Sequence, residues 1–199
     1  MSVHRQISRD DLMLDLDAYK AVRAERRKAV WAEKEKRRVA VGPFATFMFE
    51  NFSTMRHQVQ EMLYIERGGE EQLVGELDAY NPLIPNGSEL VATVMFEIED
   101  PVRRARELER LTHVEDTIAF EFDGDTVAAQ PETDLERTKE DGKTSSIHFL
   151  HFPFTKEQIA KFKAPDTRVV LAINHENYSH MAALPDAVRA ALAEDFDPA

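Results

Sequence analysis

Apolar residues recur at helical spacing in the first part of this chain and at strand spacing in the second. Phe44, Met48, Phe52, Met55, Val59 and Met62 fall on one stripe at the roughly 3.6-residue helical period, which predicts a long helix over about Phe44 to Arg67. Pro43 suits its first position and Gly68-Gly69 ends it. A shorter helix follows with Leu73, Leu77 and Tyr80 inward, stopped by Asn81-Pro82. Upstream, Ser8 with Asp11 resembles a capping box, so a helix is expected from near Arg9 into the basic stretch beyond it. Arg38-Val39-Ala40-Val41 reads as a short strand closed by Gly42.

Beyond residue 88 the period drops to two. Leu90, Ala92, Val94, Phe96 and Ile98 alternate with Val91, Thr93, Met95 and Glu97. Asp100-Pro101 opens a helix with Val102, Ala105 and Leu108 on one side. Ile118, Phe120 and Phe122 alternate in a second strand, which turns at Asp123-Gly124 and returns over Val127 to Gln130. Pro131 to Lys143 is polar and acidic and is expected to be a mobile loop. Ile147 to Phe152 is apolar on both faces, as a central strand would be. Thr155 with Gln158 caps a helix carrying Ile159 and Phe162, Val169, Leu171 and Ile173 make a last strand, and a helix from about Pro185 to Ala193 follows.

The order β-α-β-β-α-β over about 88–174 predicts an α+β fold with a ferredoxin-like core. Its two helices cover one sheet face, yet several strands are apolar on both. The stripe that begins at Phe44 is the expected cover for the second face. The expected organisation is a single domain over 1–199, with a basic helical arm (1–42), a helical segment (43–82) and an α/β core (83–199) ending in the C-terminal helix.

Composition narrows the chemistry. With 43% hydrophobic and 31% charged residues, the 199-residue chain has enough apolar material for a buried core. It contains no cysteine, which excludes disulfides, thiol catalysis and thiolate-held metal or iron–sulfur centres. No GxxxxGK(S/T), GxGxxG, GxSxG or HExxH pattern is present, so phosphate cradling by a Gly-rich loop is not expected. No stretch approaches the ~20 apolar residues of a membrane span, and the polar run Met1 to Asp11 lacks a signal-peptide core, so a cytoplasmic location is expected. The net charge of −12 argues against broad nucleic-acid or anionic-membrane binding.

That charge is uneven. Lys20 to Arg38 holds nine Lys/Arg against Glu25, Glu33 and Glu35, a local +6, so the rest carries −18. The arm is expected to dock on its own acidic body or on a neighbouring subunit through short-range charge contacts. RNA binding is the sharper alternative, with poor aromatic support from Tyr19 and Trp31.

Three groupings are candidates for chemistry. On the reverse side of the long helix, Glu50, His57 and Glu61 lie within about 40° of one another, either as an exposed polar face or as ligands sharing a cation. His148 and His151 are three apart on a strand and point to opposite faces. One of them reads as a hydrogen-bonded core histidine. His175 shares the parity of Val169, Leu171 and Ile173 at a strand end, close to Tyr178, and is either a ligand or a loop cap.

The polar residues of the long helix carry a resemblance. Phe49-Glu50-Asn51, Thr54-Met55-Arg56, Gln58-Val59-Gln60-Glu61-Met62 and Glu76-Leu77-Asp78-Ala79-Tyr80-Asn81-Pro82-Leu83-Ile84-Pro85 resemble the bacterial domain-of-unknown-function family DUF3501, over nearly the whole chain. Ala92-Thr93, His148-Phe149-Leu150 and His175 with Tyr178 fit it too. The resemblance implies a redox or peroxide-stress context, because such genes stand beside those of rubrerythrin and an iron–sulfur oxidoreductase. It favours Glu50, Asn51, Arg56, Gln58, Glu61, His175 and Tyr178 and weakens His57, whose position the family does not restrict to histidine; ligand contacts are expected at Glu50, Asn51, Arg56, Gln58 and Tyr178, and an ion at Glu61, His175, His148 and His57. The leading expectation is an accessory protein of a cytoplasmic redox system that acts through a protein partner or self-association. The alternative is a small metal-dependent enzyme holding iron, manganese or zinc.

Overall fold

The computed structural model describes residues 5–132 and 144–198. The chain enters through a 3-10 turn at Arg9–Asp11 and helix α1 (Leu16–Glu35), then makes strands β1 (Arg38–Val41) and β2 (Ala45–Phe49). Helices α2 (Phe52–Glu66) and α3 (Gly69–Tyr80) follow, then β3 (Glu89–Phe96), α4 (Pro101–Arg110), β4 (Ile118–Phe122), β5 (Asp125–Ala128) and β6 (Gln130–Pro131). The chain continues through β7 (Ile147–Pro153), α5 (Lys156–Lys163), β8 (Val170–His175), β9 (Tyr178–Ala183) and α6 (Asp186–Ala193). Of the acidic loop expected at 131–143, everything past Glu132 lies outside the described residues.

The strands form two antiparallel sheets, ordered β1-β2-β3-β7-β6 and β5-β4-β8-β9. The mixed α+β class expected from the pattern holds, but the ferredoxin-like arrangement does not. In that arrangement helical crossovers join strands of one sheet. Here the connection through α4 leaves β3 in the first sheet and delivers β4 to the second, and the one through α5 does the same from β7 to β8. The reason is the aromatic content of the inner faces. Phe49 and Phe152 of one sheet meet Phe120 of the other, with ring centroids 5.6 Å and 4.8 Å from it. One core of Phe, Val, Leu and Ile side chains fills the space between the sheets, as in stacked sheets generally.

Residues 44–49 are the clearest departure from the predicted helix. Ala45, Phe47 and Phe49 alternate into the core and pair with Phe96, Val94 and Ala92 of β3. Phe44 and Met48 match the helical stripe only by coincidence of spacing. Gly42 turns the chain between β1 and β2 at φ +71°, and a Cβ there would come within 2.6 Å of the Tyr178 hydroxyl. The strand-bearing part therefore begins at Arg38, well before residue 83.

The helix proper starts at Asn51, whose Oδ1 accepts from Thr54 N at 3.0 Å. Its Met55, Val59 and Leu63 pack with Leu73 of α3 over Val91 and Phe149 on the outer face of the first sheet. The second face is thus covered by this part of the predicted stripe. The pattern was also followed at Thr155, which caps α5, and at Asp123-Gly124, where both residues have positive φ in the β4–β5 hairpin. Ser8 and Asp11 form their capping box, but it closes only the 3-10 turn; Asp15 caps α1. In α4, Leu108 is buried while Val102 stands 80% exposed, so the side proposed for it does not face inward as a whole.

Candidate functional site

The polar residues singled out on the long helix sort into two environments once β2 is separated from α2. Glu50 sits ahead of the helix and turns into the protein. Its Oε2 accepts from Thr54 Oγ1 at 2.6 Å and its Oε1 from Thr93 Oγ1 at 2.7 Å. This carboxylate joins the start of α2 to β3 and is 4% exposed. It does not share a surface with His57 and Glu61.

Glu61 is engaged by α1. Tyr19 Oη donates to Oε1 at 2.6 Å, and the Arg23 guanidinium grips both oxygens, with Nη2 2.6 Å from Oε2. Tyr64 completes the contact: its ring lies 4.8 Å from the Arg23 guanidinium carbon and edge-on to Tyr19. Arg23, with help from the Tyr19 hydroxyl, holds the Glu61 carboxyl down to about 2. Burial and the Glu61 bond push the Tyr19 hydroxyl well above its ordinary range. Gln60 adds a second clasp, accepting from Met13 N at 2.7 Å and donating to Met13 O at 3.0 Å. The basic arm is therefore fastened along α2 by a buried tyrosine, a forked ion pair and an amide.

Where α1 ends, five chain segments converge on a cleft of about 610 Å³, with Arg5 reaching it from the N-terminal segment. Glu33 and Lys36 come from α1, Asn51, Phe52 and Ser53 from the start of α2, Ile84 and Pro85 from the segment after α3, and Glu194 and Asp195 from beyond α6. Asn51 Nδ2 donates to Glu33 Oε1 at 2.6 Å, so Asn51 ties the two helices together across the cleft. In its floor Arg37 pairs with Asp195 and donates to the Phe49, Glu50 and Ala191 carbonyls. Burial lifts the Asp195 carboxyl to about 6 in spite of the guanidinium beside it. Nothing in the pattern signals this pair, whose members are 158 positions apart.

The remaining candidates are placed elsewhere. Gln58 lies beside the Tyr80 hydroxyl, whose ionisation burial opposes. Arg56 lies over the Phe52 ring at 5.6 Å. His57 is half-buried and is held below its ordinary pKa, chiefly by burial, with Lys34, Arg27 and Arg23 adding to the effect and Glu61 opposing it. His148 is a core residue, 1% exposed, that donates from Nε2 to the Ser145 carbonyl at 2.8 Å and meets Phe96 edge-on. His175 donates from Nε2 to Thr112 O and accepts from Asn177 N, both at 3.1 Å, closing the β8–β9 turn. Tyr178 donates to Val41 O at 2.7 Å and accepts from Ala45 N at 3.0 Å, which joins β9 to the β1–β2 turn. Glu61, His57, His148 and His175 are thus distributed over α2, β7 and β8. Among the described residues no group of three or more His, Asp or Glu is placed to hold an ion.

The outer side of α1 faces solvent. Lys20, Arg27 and Trp31 are seven and eleven positions apart, within about 40° on the helix, and Trp31 is 61% exposed. Arg23, Arg37 and Arg38 have ion-pair partners, whereas Lys20, Arg26, Arg27 and Lys28 have none among the described residues. Beside Trp31 a hollow of about 390 Å³ runs under α1, lined by Val30, Met48 and Met95. Among the described residues no helix is long and apolar enough to cross a membrane.

Comparison with known proteins returns a consistent picture. The family model described as "Protein of unknown function (DUF3501)" matches residues 6–196. A crystal structure of a novel protein of unknown function from Burkholderia pseudomallei K96243 superposes with a TM-score of 0.89 at 37% identity, covering 96% of this chain and 100% of that one. No curated protein matches the chain.

Proposed function

The chain belongs to the DUF3501 family, and we propose that it serves as an accessory protein of a cytoplasmic redox system, contacting an acidic protein partner through the outer face of α1. The observation that carries this reading is the stripe of Lys20, Arg27 and exposed Trp31 on a chain whose net charge is −12. Cations without ion-pair partners among the described residues, beside an exposed indole, fit an interface in which an aromatic anchor is buried and the charged rim steers approach. The Met48 and Met95 hollow next to Trp31 offers an adaptable apolar seat for a partner side chain. The redox context rests on the family resemblance. A chain without cysteine or a cofactor loop suits a role beside electron carriers more than one as a carrier.

Calorimetric titration against purified rubrerythrin and against the iron–sulfur oxidoreductase, at low and high salt, tests the reading. Binding to one of them is expected at low salt, weakened by high salt and by Arg27→Glu with Lys28→Glu, and abolished by Trp31→Ala. If neither protein binds, or binding ignores all three substitutions, the reading fails.

A further inference from the structure

Between α1 and α2 the large cleft opens into a smaller chamber of about 140 Å³, and the two share Glu33 and Ser53 as walls. Arg26 from α1 and Arg56 and His57 from α2 line the chamber from opposite sides. Neither arginine has an ion-pair partner among the described residues. The other polar lining groups are already engaged: Tyr19 with Glu61, Gln60 with Met13, and Glu33 with Asn51. Ser53 Oγ and His57, by contrast, have no hydrogen-bond partner among the described residues. Four donors from two helices therefore converge on one small space, with two uncompensated guanidinium charges beside it. Lys34, Arg27 and Arg23 add to the positive field there, as their effect on His57 records.

We propose that this chamber binds the phosphate of a soluble phosphomonoester, whose uncharged polar body lies in the adjoining cleft. Guanidinium groups present planar forks that match oxyanions, and forks arriving from two helices suit a tetrahedral anion better than a flat carboxylate. The chamber has room for a phosphate and little more. The cleft supplies what a hydroxylated body would need: polar groups at Asn51, Glu33 and Glu194 against the apolar walls of Phe52, Ile84 and Pro85. Glu33 is the one acid lining the chamber, and in the cleft the acids Glu33, Glu194 and Asp195 are matched by Arg5, Lys36 and Arg37, so the cleft offers no net charge to a second ionic group. The exposed stripe of Lys20, Arg27 and Trp31 lies on the flank of α1, where the hollow beside Trp31 shares Val30 and His57 with the chamber.

Isothermal titration at constant ionic strength with inorganic phosphate, ribose phosphate and ribose tests the assignment. Inorganic phosphate should bind, ribose phosphate should bind more tightly, and ribose alone should not. Arg56→Ala and Arg26→Ala should each weaken ribose phosphate binding roughly tenfold or more, the usual effect of losing a charged hydrogen bond, while Lys156→Ala, at an exposed position on α5, leaves it unchanged. Should either alanine variant fold poorly, Arg56→Lys, which keeps the charge and loses the fork, is expected to fall between it and the parent. The proposal is overturned if neither phosphate ligand binds better than chloride, or if binding survives in the Arg26→Ala, Arg56→Ala double variant. Equal affinity for inorganic phosphate and ribose phosphate would overturn the role of the cleft. Binding to phosphatidic acid vesicles without binding to ribose phosphate would overturn the soluble ester.

Discussion

Tyr19, fully buried on α1, donates its hydroxyl to Glu61 of α2 across 2.6 Å, and Arg23 closes on the same carboxylate. A helix that looked held by surface charge is bolted at its centre by a buried ring and a hydrogen-bonded ion pair. Truncating Glu61 to Ala strands the Tyr19 hydroxyl, and an unmet buried donor costs about 1–3 kcal/mol. Urea denaturation of the variant should show a loss of that size, where an exposed position would show none.

The same carboxyl gives a pH signature. Its pKa is held down to about 2 from an ordinary 4.5, so ionisation favours the folded protein. The contribution is complete above pH 4.5 and disappears as pH falls toward 2. Acid unfolding of the parent should accordingly be steeper across that window than that of Glu61→Gln.

Salt should do less to α1 than its charge suggests. Tyr19 and Val30 are buried beneath the helix, and the Arg23–Glu61 pair is only partly open to solvent. Screening acts chiefly on exposed charges. Hydrogen exchange over residues 19–30 should be nearly the same at low and high salt. Selective loss of protection there at high salt would show that charge, not packing, holds the arm.

His151 stands between two acids, with Nδ1 3.1 Å from Glu89 Oε2 and Nε2 3.1 Å from Glu132 Oε2. Glu89, opposed by burial and aided by Glu132, raises its pKa above 6.5. A raised histidine pKa stabilises the fold fully below pH 6.5, and the effect is lost as pH rises through the folded value. NMR titration should give His151 a pKa above the ordinary one, and Glu132→Gln should lower it.

Met55 is 4% exposed and wedged between α2 and the first sheet, whereas Ile65 on the same helix is 64% exposed. Met55→Ala should cost about 2–5 kcal/mol through the cavity it leaves. Ile65→Ala should stay within about 0.5 kcal/mol. Equal effects in chemical denaturation would mean that α2 does not cover the sheet.

Much of the fold was legible because local chemistry and tertiary need agreed. The Thr155 cap, the Asp123-Gly124 turn and the alternation through Leu90 to Phe96 each specify one backbone state whatever surrounds them. The pattern failed where two periods fit the same residues. Phe44, Met48 and Phe52 satisfy a helix, while Ala45, Phe47 and Phe49 satisfy a strand, and only β3 as a pairing partner decides between them. Strand β9 went unread because its edge position leaves Ser179, His180 and Met181 exposed, without alternation. In the candidate site, Glu50 looked like a surface carboxylate. Its partners, Thr54 and Thr93, are ordinary residues whose hydroxyls become relevant only after β2 and β3 pair. The Arg37–Asp195 contact could not be read at all, since no local rule links residues 158 apart.

The two helical crossovers also constrain how the chain reaches its native state. Each carries the backbone out of one sheet and into the other, and the pairs they leave behind are distant: Val91 lies opposite His151, and Phe120 opposite Leu171. Loop closure must therefore come before the β2–β3, β3–β7 and β4–β8 pairings that compensate for it, which places folding at the slow end, on the order of milliseconds to seconds. The sheets are interleaved along the chain, β1 to β3 in the first, β4 and β5 in the second, β6 and β7 in the first, β8 and β9 in the second, so completing either sheet spans strands of the other. The sandwich should open as one cooperative unit, with the slowest-exchanging amides of β3 and β8 reporting a single free energy. A fragment ending after β7 would carry β4 without its neighbour β8, and would leave Phe49 and Phe152 facing an incomplete second sheet.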